Sequence, residues 1–279
     1  MKNTHANEIS DGDRFEFGAN WMRFLSSLTE NRIMQAEISL RKLLGHDILV
    51  GKSFLDAGSG SGIFSLAARR LGARVHSFDY DPQSVACTRT LKQRFFAKDP
   101  LWTIEEGSVL DANYLNRLGH FDIVYSWGVL HHTGAMWSAL ENVVTAVAPS
   151  GQLFISIYND QGWISRYWLF VKKMYVQHSQ LRWLLVLLHA PYLFGLRWLV
   201  RLLSGQGKLS RGMNLWHDMV DWVGGYPFEV ARPEELFHFY QHKGFQLQAL
   251  TTCGGRHGCN ELVFTSQTRS PENSPPRPY

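Results

Sequence analysis

The residues best suited to chemistry fall at a few points along the 279-residue chain. Asp56-Ala57-Gly58-Ser59-Gly60-Ser61-Gly62 places three glycines at alternate positions behind the apolar pair Phe54-Leu55. Glycine lets a backbone turn sharply and lets a ligand approach the main chain. A helix starting just after it would present free N–H groups to a polar ligand. Asp79 lies 17 residues beyond Gly62, at the end of the apolar run RVHSFD, where a carboxylate can accept both hydroxyls of a ribose. Three histidine-bearing segments could supply a proton acceptor. They are His131-His132, His217 with Asp218 and Asp221 in WHDMVDWVGGYPFE, and His257 with Glu261.

Each signal also has a plain structural reading. Alternate glycines serve tight turns, and Asp79 could cap a helix, although Asp81, directly before Pro82, suits that role better. Cys253, His257 and Cys259 have the spacing Cys-x3-His-x-Cys, which is not a common zinc pattern, so no metal is expected. Three cysteines, an odd number, fit a reducing compartment rather than a disulfide framework. The first 13 residues contain no apolar run and read as neither secretory signal nor transit peptide, so a cytoplasmic location is expected.

Alternating elements must position these residues. Helical spacing of Trp21, Phe24, Leu25 and Leu28, and then of Met34, Ile38 and Leu43, predicts helix over 14–44. From 53 to 159 apolar strands alternate with helices: SFLDA, then IFSLAARRLG, RVHSFDYD, PQSVACTRTLKQRF, WTIEEGSV, FDIVYSWGV, MWSALENVVTAVA and GQLFISIYN. That alternation predicts a parallel sheet covered on both faces. After RPEELFHFYQHKG, a helix, the strands FQLQALTT and NELVFTSQ are joined by CGGRHGC, which is too short for a crossover and forces an antiparallel hairpin. The expected fold is α/β: a doubly wound, mostly parallel seven-stranded sheet ending in that hairpin. An N-terminal helical lid (1–45), a core (46–160), a helical insertion after strand five (161–232), a closing helix and hairpin (233–268) and a disordered Pro-rich tail (269–279) make up the expected organisation.

LDAGSGSG, FDYD, EEGSVLD, FDIVYSWGVLHH and APSGQLFISIYN, in this order over 53–159, resemble the motif set of the class I, Rossmann-like S-adenosylmethionine (SAM)-dependent methyltransferases, in particular bacterial members acting on small molecules and glycans. A nicotinamide or flavin enzyme would share the first motif alone. The resemblance implies SAM as cofactor. It places Asp56, Gly58, Ser59, Gly60 and Gly62 around the methionine part, Asp79 at the ribose and Tyr80 beside the adenine. Ser108 and Val109 fall at the adenine edge, where many members carry an Asp and where Asp111 could stand in. Trp127 and Leu130 would line the cofactor near the sulfonium, and RFEFGANWMRF suggests that Phe17, Gly18 and Trp21 form the lid.

For the acceptor, a hydroxyl is the first reading, with His217, Asp221 and His132 as candidate catalytic residues. N-methylation, RNA methylation and a non-catalytic SAM-binding protein are the alternatives. The acceptor would be a small molecule or a lipid-linked one. Between Gln161 and His217 lie eight basic residues and no acid, against a net charge of +4 for the whole chain. The longest uncharged run there, Trp183–Leu196, is 14 residues and contains His189, Pro191 and Gly195, short of a membrane span. Residues 163–205 therefore read as a cap over the acceptor pocket, as a layer in an anionic membrane interface at the inner face, or as a homodimer surface. Nucleic acid is disfavoured, because Leu and Val dominate the stretch.

Overall fold

A computed structural model describes residues 5–191, 220 and 222–267. Its elements are α1 (His5–Ser10), α2 (Phe17–Ser26), α3 (Glu30–Leu44), β1 (Ser53–Ala57), α4 (Ile63–Arg70), β2 (Arg74–Asp79), α5 (Pro82–Phe96), β3 (Trp102–Glu106), α6 (Ala112–Leu118), β4 (Phe121–Trp127), α7 (Met136–Val144) and β5 (Val147–Tyr158). They are followed by α8 (Trp163–Gln177), α9 (Arg182–Ala190), α10 (Pro233–His242), β6 (Phe245–Thr251) and β7 (Cys259–Ser266). The seven strands form one sheet in the order β3-β2-β1-β4-β5-β7-β6. β1 to β5 run parallel, while β7 pairs antiparallel with both β5 and β6. The expected doubly wound sheet with an antiparallel end is what forms: the alternating strands are buried and helices cover both faces of the sheet.

Successive side chains of the central strands feed two cores. Leu55 and Val124 point to one face, with Leu236 and Tyr240 of α10. Phe54, Ile123 and Tyr125 point to the other, with Leu40 of α3 and Leu66 of α4. β1 and β4 are neighbours although they are distant in sequence. Strand order therefore reverses beside β1, and the crevice at the carboxyl ends of β1 and β4 is where such sheets bind ligands. A third core, built on Trp168, Tyr175, Val223 and Phe228, fixes the described part of the insertion to this end of the sheet.

Three local expectations change. The continuous helix over 14–44 is two helices, and α1 precedes them. α2 ends where the hydroxyls of Ser26 and Ser27 donate to the carbonyls of Arg23 and Phe24 (2.6 and 2.9 Å). α3 restarts after an extended Thr29. Serine and threonine compete in this way for backbone partners and so end helices that apolar spacing alone would continue. A short helix, α6, fills the span between β3 and β4. Asp111 is its cap, exposed and accepting from the Tyr114 N–H at 3.0 Å, and it does not line the cavity that Ser108 and Val109 reach.

Gly62 is the pivot between β1 and α4. Its φ is +78°, and a Cβ there would sit 2.9 Å from Thr88 Cα on α5. Gly62→Ala is expected to cost about 3 kcal/mol, from left-handed backbone strain and overpacking. Thermal unfolding should register it as a fall on the order of 5–10 °C. A change within about 1 °C would show that the two helices can part freely.

Candidate functional site

The turn after β1 is tied down by the next strand. Gly58 and Ser59 N–H groups both donate to Phe78 O (2.9 and 3.0 Å), and Gly60 N–H donates to the Asp79 carboxylate at 2.8 Å. Gly58 has φ +89°, and a Cβ on it would lie 2.4 Å from the Val129 methyl groups. The turn after β1 and the turn after β4 thus press together without room for a side chain. Asp79 takes a second N–H from Asp81 (3.0 Å), while Asp81 caps α5 through Gln83 N–H (2.8 Å). Burial pushes the Asp79 carboxyl up to about 6, opposed by those N–H groups. Asp56 is buried and accepts from the Ser65 hydroxyl, which also pairs with Ser77 at 2.7 Å. Desolvation pushes Asp56 up to about 7; Ser65 opposes the rise and the charge of Asp79 adds to it.

These groups open onto a cavity of about 1140 Å³. Asp56, Gly58, Ser59, Gly60, Asp79, Tyr80, Ser108, Val109 and Trp127 line it, together with Phe17 and Trp21 from α2. Gly62 and Leu130 are not among the lining residues. Gly62 sits behind the turn at the start of α4, and Leu130 is fully buried in the core, leaving Gly128 and Val129 to face the cavity. The Trp21 indole lies over the glycine turn, 3.1 Å from where a Gly60 Cβ would stand. Trp127 donates from its indole to Glu261 at 3.1 Å.

The N-terminal segment is latched at both ends of the cavity. Gly18 N–H donates to Asp81 at 2.8 Å, and a Cβ at Gly18 would collide with that carboxylate at 2.4 Å. Tyr80 OH donates to Glu8 (2.9 Å), Glu8 pairs with Arg14 (2.5 Å), and Arg14 donates to His132 O (2.9 Å). Glu8 and Arg14 escaped the sequence reading, because a charged pair near a chain end has no periodic pattern to single it out. Tyr158 and Trp222 did too; they close the far end of the cavity. Their one sequence signal was the aromatic density of WHDMVDWVGGYPFE around Trp222.

His132 lines the cavity with its ring 4.8 Å from Phe17. Its Nδ1 donates to Pro227 O at 2.6 Å, and burial drives its pKa down to about 3. It is therefore neutral at ordinary pH and a weak proton acceptor. His131 is fully buried, accepts from Tyr158 N–H through Nδ1 (3.3 Å), and is held well below the usual histidine range by desolvation. The described part of the WVGGYPFE stretch wraps this pair: Glu229 N–H donates to His131 O (2.9 Å), and the Glu229 carboxylate accepts from Met136 N–H at the start of α7 (3.0 Å). His217, Asp218 and Asp221 lie outside the described residues. Cys253 donates its thiol to Arg256 O at 3.0 Å.

Comparison with known proteins agrees with this geometry. A methyltransferase domain family model matches residues 29–203. The chain is 33% identical over 113 residues to the ubiquinone biosynthesis O-methyltransferase of Aeromonas salmonicida, covering 40% of this chain and 45% of that protein. It is 27% identical over 143 residues to the ribosomal protein L11 methyltransferase of Macrococcus caseolyticus, covering 44% and 45%. The chain thus spans about half the length of the curated relatives it matches. Among solved structures, magnesium protoporphyrin IX methyltransferase from Synechocystis PCC 6803, with bound SAH, superposes with a TM-score of 0.51 at 14% identity over 84% of this chain and 83% of that one. An O-methyltransferase family protein from Burkholderia thailandensis also gives 0.51, at 13% identity over 78% and 52%. The motif order, the 3-2-1-4-5-7-6 sheet and the family match converge: the chain belongs to the methyltransferase domain family and has the fold of the class I SAM-dependent methyltransferases.

Proposed function

We propose that this chain moves a methyl group from SAM to a hydroxyl of a bulky, lipophilic small molecule, free or lipid-linked. The observation that carries the reading is the cavity itself. At about 1140 Å³ it exceeds the range of about 300–1000 Å³ usual for one ligand, so cofactor and acceptor can share it. Its lining falls into two chemistries: the carboxylates Asp56 and Asp79 beside the glycine turn, and the aromatic group Phe17, His132, Tyr158 and Trp222.

The carboxylate end fits SAM. The raised carboxyl of Asp56 is suited to a cationic ammonium group, which would favour its ionised form. Asp79, held by two backbone N–H groups, keeps lone pairs for ribose hydroxyls. SAM supplies a sulfonium-bound methyl, an electrophile open to in-line attack. The protein's part is alignment and exclusion of water: Trp21 covers the glycine turn, and the Glu8–Arg14 pair ties the lid to His132. His132, neutral and fixed by Pro227 O, serves as a wall of the acceptor end. On sequence grounds, the proton acceptor is His217 supported by Asp221.

Incubation with methyl-labelled SAM and a membrane lipid extract should put alkali-stable label into the organic phase, as an ether would be. Label confined to RNA or to amines would overturn O-methylation, and absence of SAM binding by calorimetry would overturn the enzyme reading. His217→Ala should lower turnover by about 100-fold or more if it is the general base. Undiminished turnover would remove it from that role.

A further inference from the structure

α8 and α9 each bury one face and leave the other open. On α8 the buried residues are Ser165, Trp168, Val171, Lys172, Tyr175 and Val176. The opposite face carries Trp163, Tyr167 and Phe170, which are 71, 46 and 63% exposed. On α9, Val186 and His189 are buried, while Trp183, Leu187 and Leu188 are 64, 57 and 64% exposed. The helices meet where Tyr167 OH and His189 Nε2 stand 2.7 Å apart. Two neighbouring helices thus present large apolar side chains to solvent, which ordinary monomer surfaces avoid.

The charges around these stripes are of one sign. Arg166, Lys173 and Arg182 are exposed on the same two helices, and residues 161–191 contain no acid. Among the described residues no helix is long and apolar enough to cross a membrane. Tryptophan and leucine beside lysine and arginine, without acids, on a short helix is the composition of a segment lying in the plane of a lipid interface.

We infer that the exposed faces of α8 and α9 seat the protein on an anionic lipid bilayer, with Trp163, Phe170, Trp183, Leu187 and Leu188 entering the interface and Arg166, Lys173 and Arg182 meeting lipid phosphates. A protein partner with an acidic apolar groove would share the charge logic. A bilayer is favoured because the apolar residues are spread along two helices rather than gathered into one anchor. The surface is independent of the methyl-transfer reading and stands or falls without it.

Flotation of the full chain decides it. The protein should rise with phosphatidylcholine–phosphatidylglycerol vesicles and stay behind with phosphatidylcholine alone, each interfacial cation being worth about fivefold in partitioning at low salt. A triple variant, Trp183→Ser with Leu187→Ser and Leu188→Ser, should lose flotation. Its circular dichroism and SAM affinity should match those of the parent, which separates lost docking from lost folding. A second variant, Arg166→Gln with Lys173→Gln, should weaken flotation by about 25-fold while leaving the apolar stripes intact. Equal flotation on neutral vesicles, no flotation on either, or a dimer in sedimentation that the serine variant splits would each overturn the inference.

Discussion

Asp79→Ala is expected to weaken SAM binding by about 100- to 1000-fold. The carboxylate has two tasks that no neighbour can assume. It fixes the glycine turn through Gly60 N–H and the start of α5 through Asp81 N–H. In the proposed complex it also accepts the ribose hydroxyls. Hydrogen bonds to a charged group contribute about 1.5–3 kcal/mol each, and two of them in the lower half of that range correspond to roughly two to three decades in Kd. Asp79→Asn keeps the shape and one acceptor and should fall between the two, near tenfold to thirtyfold. Calorimetry measures both. The carboxyl is pushed up to about 6, so parent affinity should drop as pH falls through that value, while the asparagine variant keeps only the dependence set by Asp56 near 7. Affinity within threefold of the parent for the alanine variant would take Asp79 out of the cofactor site.

Asp56→Asn should move stability and binding in opposite directions. Burial raises the folded-state pKa of Asp56 to about 7 from an ordinary 3.8. Between those values the folded protein holds more protons than the unfolded chain, so stability falls as pH rises from about 4 to about 7 and stays reduced above that. Asparagine has no charge to desolvate and can still accept from Ser65 through its carbonyl oxygen, though its N–H₂ group then lacks a partner at a cost of about 1–2 kcal/mol. The net expectation at pH 8 is a gain of about 1–2 kcal/mol in denaturant unfolding without ligand, shrinking to nothing or reversing near pH 4. SAM affinity should meanwhile fall by about 30- to 100-fold, because the buried carboxylate no longer faces the ammonium group. Loss of both stability and binding at pH 8 would mean that Asp56 is a structural acid serving Ser65 and Ser77.

Both predictions rest on residues that were legible before any coordinates. Glycines at alternate positions, an acid ending the second strand and Asp81 ahead of Pro82 are local signals, and each is set by a few neighbouring residues. The strand–helix alternation is local too, and a seven-residue link leaves the last two strands no option but to run antiparallel. What the sequence determined by itself is therefore the sheet, its glycine turn and the acids beside it. The break between α2 and α3 was written in Ser26, Ser27 and Thr29, but apolar spacing outweighed it in the reading. Tertiary structure alone decided the rest. Arg14 reaches the His132 carbonyl across 118 positions. The state of His132 depends on Pro227, 95 positions away. Leu130 turns into the core while Val129 meets Gly58. A proton's affinity and a lid's latch are set by whatever distant chain supplies the burial and the partner atom, and residue type and spacing carry no record of that.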